Sequence, residues 1–142
     1  MASQDAELSK TISDLLETYI ATFNRQDLPG AASYYDEPAF IISASGAKLM
    51  PARKDYVSVF TETVQRLKDS GWDHSEFIGE KGINVMQDDS EGALVMASCP
   101  CQRLRKDGSS VEEFTASYTL RRGGDRGWLI VGIHHSPFPK DR

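Results

Sequence analysis

Apolar residues recur every three or four positions in the first half of the chain and every second position in the second half. From Glu7 to Asn24 they fall at Leu8, Ile12, Leu15, Leu16, Tyr19, Ile20 and Phe23, which predicts an amphipathic helix with one buried stripe. Asp27 is placed to cap a second, short helix, because Pro29 is tolerated in a first turn and Ala31-Ala32-Ser33-Tyr34-Tyr35 follows without a breaker. The stretch 38–44 is too short and too β-rich for a helix, and Ser45-Gly46 turns it into 47–50, a small hairpin. Pro51 marks the start of a third helix, with Tyr56, Val57, Phe60, Val64 and Leu67 on one face and Gly71 at its end.

Beyond Gly71 the period becomes two. Strand-like runs near 75–87, 92–105, 111–122 and 127–136 are separated by turn residues at 87–90, 106–109 and 123–126, which argues consecutive antiparallel hairpins. Helices first and strands last is the α+β pattern, with three N-terminal helices covering one face of a curved antiparallel sheet. One domain over residues 1–142 accommodates all of it, and only 138–142 reads as a loose tail.

Composition narrows the function classes. The net charge of -5 is spread along the chain without a basic stripe, so a phosphate-neutralising surface is missing and nucleic acid is set aside. No stretch approaches 18 uninterrupted apolar residues, and the N-terminus lacks a charged region followed by an apolar core; neither a membrane span nor export is expected. The two cysteines, Cys99 and Cys101, are too close in sequence for an unstrained bridge, and reduced thiols in a cytoplasm are the simpler expectation. A Cys-x-Cys pair without further ligands at matching reach makes a poor metal site. No glycine-rich phosphate loop, Ser-His-Asp set or acidic cluster emerges, and no cofactor or metal is expected.

The order of elements resembles the nuclear transport factor 2-like superfamily, the cystatin-like cone fold. Its members include ketosteroid isomerases, SnoaL-like polyketide cyclases, scytalone dehydratases and the association domain of calcium/calmodulin-dependent protein kinase II. The residues that carry the likeness are 19–30, Tyr-Ile-Ala-Thr-Phe-Asn-Arg-Gln-Asp-Leu-Pro-Gly, and 128–136, Trp-Leu-Ile-Val-Gly-Ile-His-His-Ser. The resemblance implies a pocket inside the cone and, commonly, a homodimer formed through the outer face of the sheet. Laid on the ketosteroid isomerases, Tyr19 falls on their oxyanion-stabilising tyrosine, Ser43 on their general base and Ser117 on their protonated aspartate. An unactivated serine cannot abstract a proton beside a carbonyl, which argues against that particular activity.

His134 and His135 are adjacent on a strand, so one of them faces the cone whatever the register. Imidazole titrates near neutrality, and both join Tyr19 as catalytic candidates; a hydrogen-bonded histidine at a sheet edge or dimer contact is the competing reading. Tyr19 lies within the apolar stripe, where its hydroxyl needs a partner, so packing competes with chemistry there too. Tyr56 is within reach of the cone mouth, again with packing as the alternative. On the 111–122 run, Glu113, Thr115 and Ser117 share one face, and Phe114, Ala116, Tyr118 and Leu120 share the other. The family match turns Ser117 inward, which makes Glu113 and Thr115 pocket residues and leaves the apolar row for a partner subunit. An inward Arg103 would hold a carboxylate or an enolate; a solvated hairpin end is its plainer reading. The expected protein is a small-molecule-binding, cytoplasmic homodimer, an isomerase, cyclase or dehydratase working without cofactor. The alternative is a non-catalytic ligand-binding or oligomerisation module like the kinase association domain.

Overall fold

The computed structural model describes residues 2–137, with side chains described over 5–135; the expected tail at 138–142 lies outside them. The first helix, α1 (Ala2–Asn24), buries Ile12, Leu16, Tyr19 and Ile20 along one stripe. Each such side chain withdrawn from water contributes roughly 2 kcal/mol of hydrophobic stabilisation. In α2 (Leu28–Ala32) the Asp27 carboxylate accepts the Gly30 amide at 3.0 Å, as the capping pattern predicts. A Cβ at Gly30 would stand 2.3 Å from that carboxylate, so the cap and the glycine are matched. The helix stops at Ala32, earlier than expected, because Tyr35 opens β1 (Tyr35–Ser43) and is fully buried.

The expected hairpin closes onto β2 (Gly46–Met50), and α3 (Arg53–Asp69) follows, its first turn tied by the Asp55 carboxylate accepting the Ala52 amide at 2.9 Å. Gly71 takes φ +93°, a conformation side chains resist, and its amide donates to Lys68 at 2.9 Å to end the helix. The run expected over 75–87 divides into β3 (Trp72–Phe77) and β4 (Gly82–Asp89). Both pair with β5 (Gly92–Arg105), β4 along 92–98 and β3 along 101–105. Pro100 lies in the gap between the two. Its missing amide costs nothing there, and its carbonyl accepts from Ile78 at 2.9 Å.

The long strands β6 (Ser110–Arg122) and β7 (Trp128–Pro137) complete one seven-stranded sheet in the order β2-β1-β7-β6-β5-β3, with β4 also on β5. One expectation needs refining: β1 pairs with β7 in parallel, so the sheet is mixed. A parallel pair needs a long crossover rather than a tight turn, and here α3 and five strands lie between the two partners. The helices cover the concave face. Among the described residues, no helix is long and apolar enough to cross a membrane.

One polar clamp fixes α1 to the sheet. The Asn24 side chain donates to the Ser75 carbonyl at 2.8 Å and accepts the Ser75 amide at 2.9 Å, while the Trp72 indole donates to the Ser75 hydroxyl at 2.9 Å. Asn24→Ala leaves two backbone groups of β3 without partners in a half-buried setting. The expected loss is about 1–3 kcal/mol of unfolding free energy by denaturant titration, with Asn24→Asp recovering only the accepting half.

Candidate functional site

Between the helices and the concave face lies an open cavity of about 310 Å³. Strand alternation builds one wall: β5 turns Cys101 and Arg103 inward, β6 turns Phe114 and Tyr118, and β7 turns Ile133 and His135. Helical spacing builds the other, with Tyr19, Ile20 and Phe23 from α1 and Val59, Phe60, Thr63 and Arg66 from α3. Ile41 and Ser43 of β1 and Ser75 of β3 complete it.

Aromatic rings make the base of the cavity. The Tyr19 and Tyr35 hydroxyls are 2.7 Å apart, and the Tyr19 ring meets Tyr34, Tyr35 and Tyr118 edge-on at centroid separations of 5.5, 5.7 and 6.0 Å. Tyr35 stacks on Tyr56 at 4.0 Å. Burial pushes the phenol of Tyr19 well above the usual tyrosine range, with Tyr35 and Arg103 working weakly against it, so it is a neutral hydrogen-bond donor throughout the physiological range.

Arg103 is the charged group of the sheet wall and only 9% exposed. One end of its guanidinium donates to Glu112, directly across from it on β6, and its Cζ lies 4.3 Å from the centre of the Phe114 ring. Its Nε is buried without a partner among the described residues. His135 stands beside the same Phe114 ring at 4.9 Å. His135 is solvent-exposed at the open mouth, with one side of its imidazole against the cavity wall. Desolvation against that wall, together with Arg103 and Arg66 and against the opposing pull of Glu112, moves its pKa down to about 4.

The structure therefore brings Tyr19, Ser43, Arg103 and His135 to one cavity and sends the other expected site residues elsewhere. His134 lies on the outer face, in register with Ser117 and Ile42. Thr115 and Ser117 share that face, and Glu113 is exposed, its carboxylate accepting from Gln102 at 3.4 Å. The correction has a simple cause: Phe114, Ala116, Tyr118 and Leu120 are buried against the helices, so the alternation of β6 is opposite to the one the family alignment implies. Tyr56 is wholly buried on Tyr35 and not on the cavity wall, because it lies one turn before Phe60 on α3. Its hydroxyl has no partner among the described residues.

Phe114 and Tyr118 were legible as an apolar row but assigned outward. Thr63, Arg66 and Ser75 carried no sequence signal beyond lying beside predicted buried positions. The cysteines are free and buried, and burial pushes each thiol up to about 12, which leaves them protonated and poorly nucleophilic. Among the described residues no cluster of three metal-ligating side chains exists.

A family model described as NTF2-like protein (DUF6841) matches residues 6–138. The chain belongs to this NTF2-like family. No curated protein matches its sequence. Solved structures that resemble it do so in fold. An NTF2-like protein with a cystatin-like fold from Novosphingobium aromaticivorans shares 16% identity over 99% of this chain and 89% of its own, with a TM-score of 0.68. A Catenulispora acidiphila protein in complex with S-DNPA shares 12% over 92% and 94%, at 0.62. A Xanthomonas campestris protein described as a calcium/calmodulin dependent protein kinase II association domain shares 16% over 92% and 87%, also at 0.62.

In this NTF2-like chain the cation beside His135 has a measurable signature. The folded pKa lies below the ordinary value of 6.5, so between there and about 4 the unfolded chain binds the proton more readily. Stability contributed by this residue therefore falls as pH drops through that window. Arg103→Met removes a cation and releases Glu112, and both changes raise the His135 midpoint toward 6.5 in an NMR titration of the imidazole C–H signals; an unmoved midpoint would contradict the assignment.

Proposed function

We propose that this NTF2-like protein binds a small organic molecule in the cone and converts it by acid–base chemistry without a cofactor. The observation that carries this reading is the presence of Tyr19 and a single histidine, His135, on the wall of one open, mostly apolar cavity. A filled cone would have left only an interaction role. Ligand pockets of roughly 300–1,000 Å³ with apolar walls and few converging polar groups are the usual form of small-molecule sites. The S-DNPA complex of the Catenulispora protein is a further support, since a chain of the same fold there holds a small molecule.

The reaction class is isomerisation, cyclisation or dehydration. Neutral His135 takes a proton from carbon next to a carbonyl, and the electron pair moves into the carbonyl oxygen. The Tyr19 phenol donates to the oxygen that gains charge, and the imidazolium returns the proton at another position or to a leaving hydroxyl. Low basicity keeps His135 unprotonated at neutral pH, while the cost of its weak pull is met by stabilising the oxyanion.

The same reading takes the protein to be a cytoplasmic homodimer that pairs through its outer sheet face. Phe40, Gly132, Thr119 and Met96 lie in register across that face, with Phe40 45% and Met96 39% exposed. Two large apolar side chains in one row suit a sheet-to-sheet contact. The association-domain likeness is consistent with pairing of this kind but does not account for an unfilled cavity.

A thermal-shift screen of a metabolite library tests the site. A ligand at 100 times its Kd raises stability by about 2.7 kcal/mol, and Val59→Trp, which fills the cavity, abolishes the shift. With a turned-over ligand in hand, His135→Gln lowers kcat by about 10²–10⁴-fold with binding retained, and an unchanged rate would remove His135 from the mechanism. Met96→Glu converts the dimer to a monomer in light scattering; a wild-type monomer at working concentration would end the pairing proposal.

A further inference from the structure

We infer that the molecule taken by the cone is an organic carboxylate, whose anionic group is received by Arg103 with Arg66 beside it at the cavity mouth. This rests on the cone being a ligand site and adds the charge of its ligand. Four observations support it. Arg103 is nine-tenths buried, yet only one end of its guanidinium is engaged, and its Nε has no partner. A buried donor left unpaired is costly, and an acceptor arriving from the cavity would satisfy it. Contact of its Cζ with the Phe114 ring holds the guanidinium at the wall, and the fixed fork of donors it carries suits the two oxygens of a carboxylate better than a single acceptor atom.

The other observations concern charge. The cavity wall carries Arg66 and Arg103 and no aspartate or glutamate among the described residues. Arg66 is exposed and forms no ion pair among the described residues. Glu112 stands on the same face of the sheet in register with Arg103, off the cavity wall, and its 47% exposed side chain leaves its charge partly screened by water. The wall thus presents one uncompensated cation and one half-satisfied one to whatever enters. Phe23, Phe60, Phe114 and Tyr118 around them suit an aromatic or otherwise flat, apolar body.

Placing the carboxylate there also changes His135. Its neighbours that face it are the cations Arg103 and Arg66 and the anion Glu112. A bound anion offsets the two cations, so the imidazole becomes a stronger base only when the site is occupied. Substrate binding would then prepare the base.

The probes are 2-naphthoate and 2-naphthamide, which share a ring system and differ in charge. Calorimetry with the wild-type protein is expected to show naphthoate binding about tenfold to hundredfold tighter than the amide. The His135 NMR midpoint should rise with naphthoate bound and stay put with the amide. Arg66→Gln, an exposed change, lowers naphthoate affinity several-fold and leaves the amide unaffected; Arg103→Met removes the preference. Equal affinity for the two probes, or a preference untouched by both variants, overturns the carboxylate assignment while leaving the cone as a ligand site. Binding of neither probe overturns the ligand-site reading and this inference with it.

Discussion

Side chains on a strand alternate between its two faces, and in this protein that rule governs more than any single contact. The two longest strands, β5 and β6, run side by side with every inward residue of one opposite an inward residue of the other, from Ala97 against Tyr118 to Cys101 against Phe114. The row that faces the helices is small in the middle, at Ala97, Cys99 and Ala116, and large or charged toward one end, at Phe114 and Arg103. The cavity opens where the inward row changes character. The same alternation on β7 brings His135 in and turns His134 out, so a shift of one residue in any of the three strands would replace the site with a different set of groups.

How much of this was legible follows from what each signal depends on. The three helices could be read because stripes such as Ile12, Leu16, Tyr19 and Ile20 depend only on local spacing, as does the Asp27 cap. The hairpin boundaries could be read because glycines such as Gly108, at φ +91° between β5 and β6, mark them by backbone conformation. The inward face of β6 was also present in the sequence, as the apolar row Phe114-Ala116-Tyr118-Leu120, and the simplest rule would have buried it. Alignment to a distant family overrode that rule and placed Ser117 and Glu113 inside. A relation near the identities seen here, 12–16%, transmits element order and does not transmit register. The parallel pairing of β1 with β7 was invisible for another reason: it joins residues as far apart in sequence as Ile41 and Ile133, and no local pattern records which edge a returning strand will find.

The polar content of the cavity is held in place by neighbours, most of which do not line it. Asn24 fixes Ser75 by both backbone atoms, Glu112 and Phe114 fix the guanidinium of Arg103, and Tyr35 fixes the Tyr19 hydroxyl. Positioning of this kind matters because a hydrogen-bonding group acts on a bound molecule only as well as its geometry is fixed. It also explains why the sequence looked plain. The members that contact the cavity are ordinary residues, and their arrangement comes from partners on other elements.

An uncharged phenol and an uncharged imidazole are weak groups when compared with a carboxylate base, yet they fit an interior that also holds a guanidinium. A carboxylate in the position of His135 would pair with Arg103 and be neutralised as a base; imidazole cannot form that pair while unprotonated. The lowered basicity of His135 comes first from desolvation and then from sharing one small cavity with the Arg103 cation. Glu112 limits the effect without abolishing it, because its side chain is half exposed and its charge is partly screened. The unpaired Nε of Arg103, the depressed imidazole and the absence of acidic lining are then three aspects of one electrostatic arrangement, in which the wall lacks a negative charge that a ligand would supply.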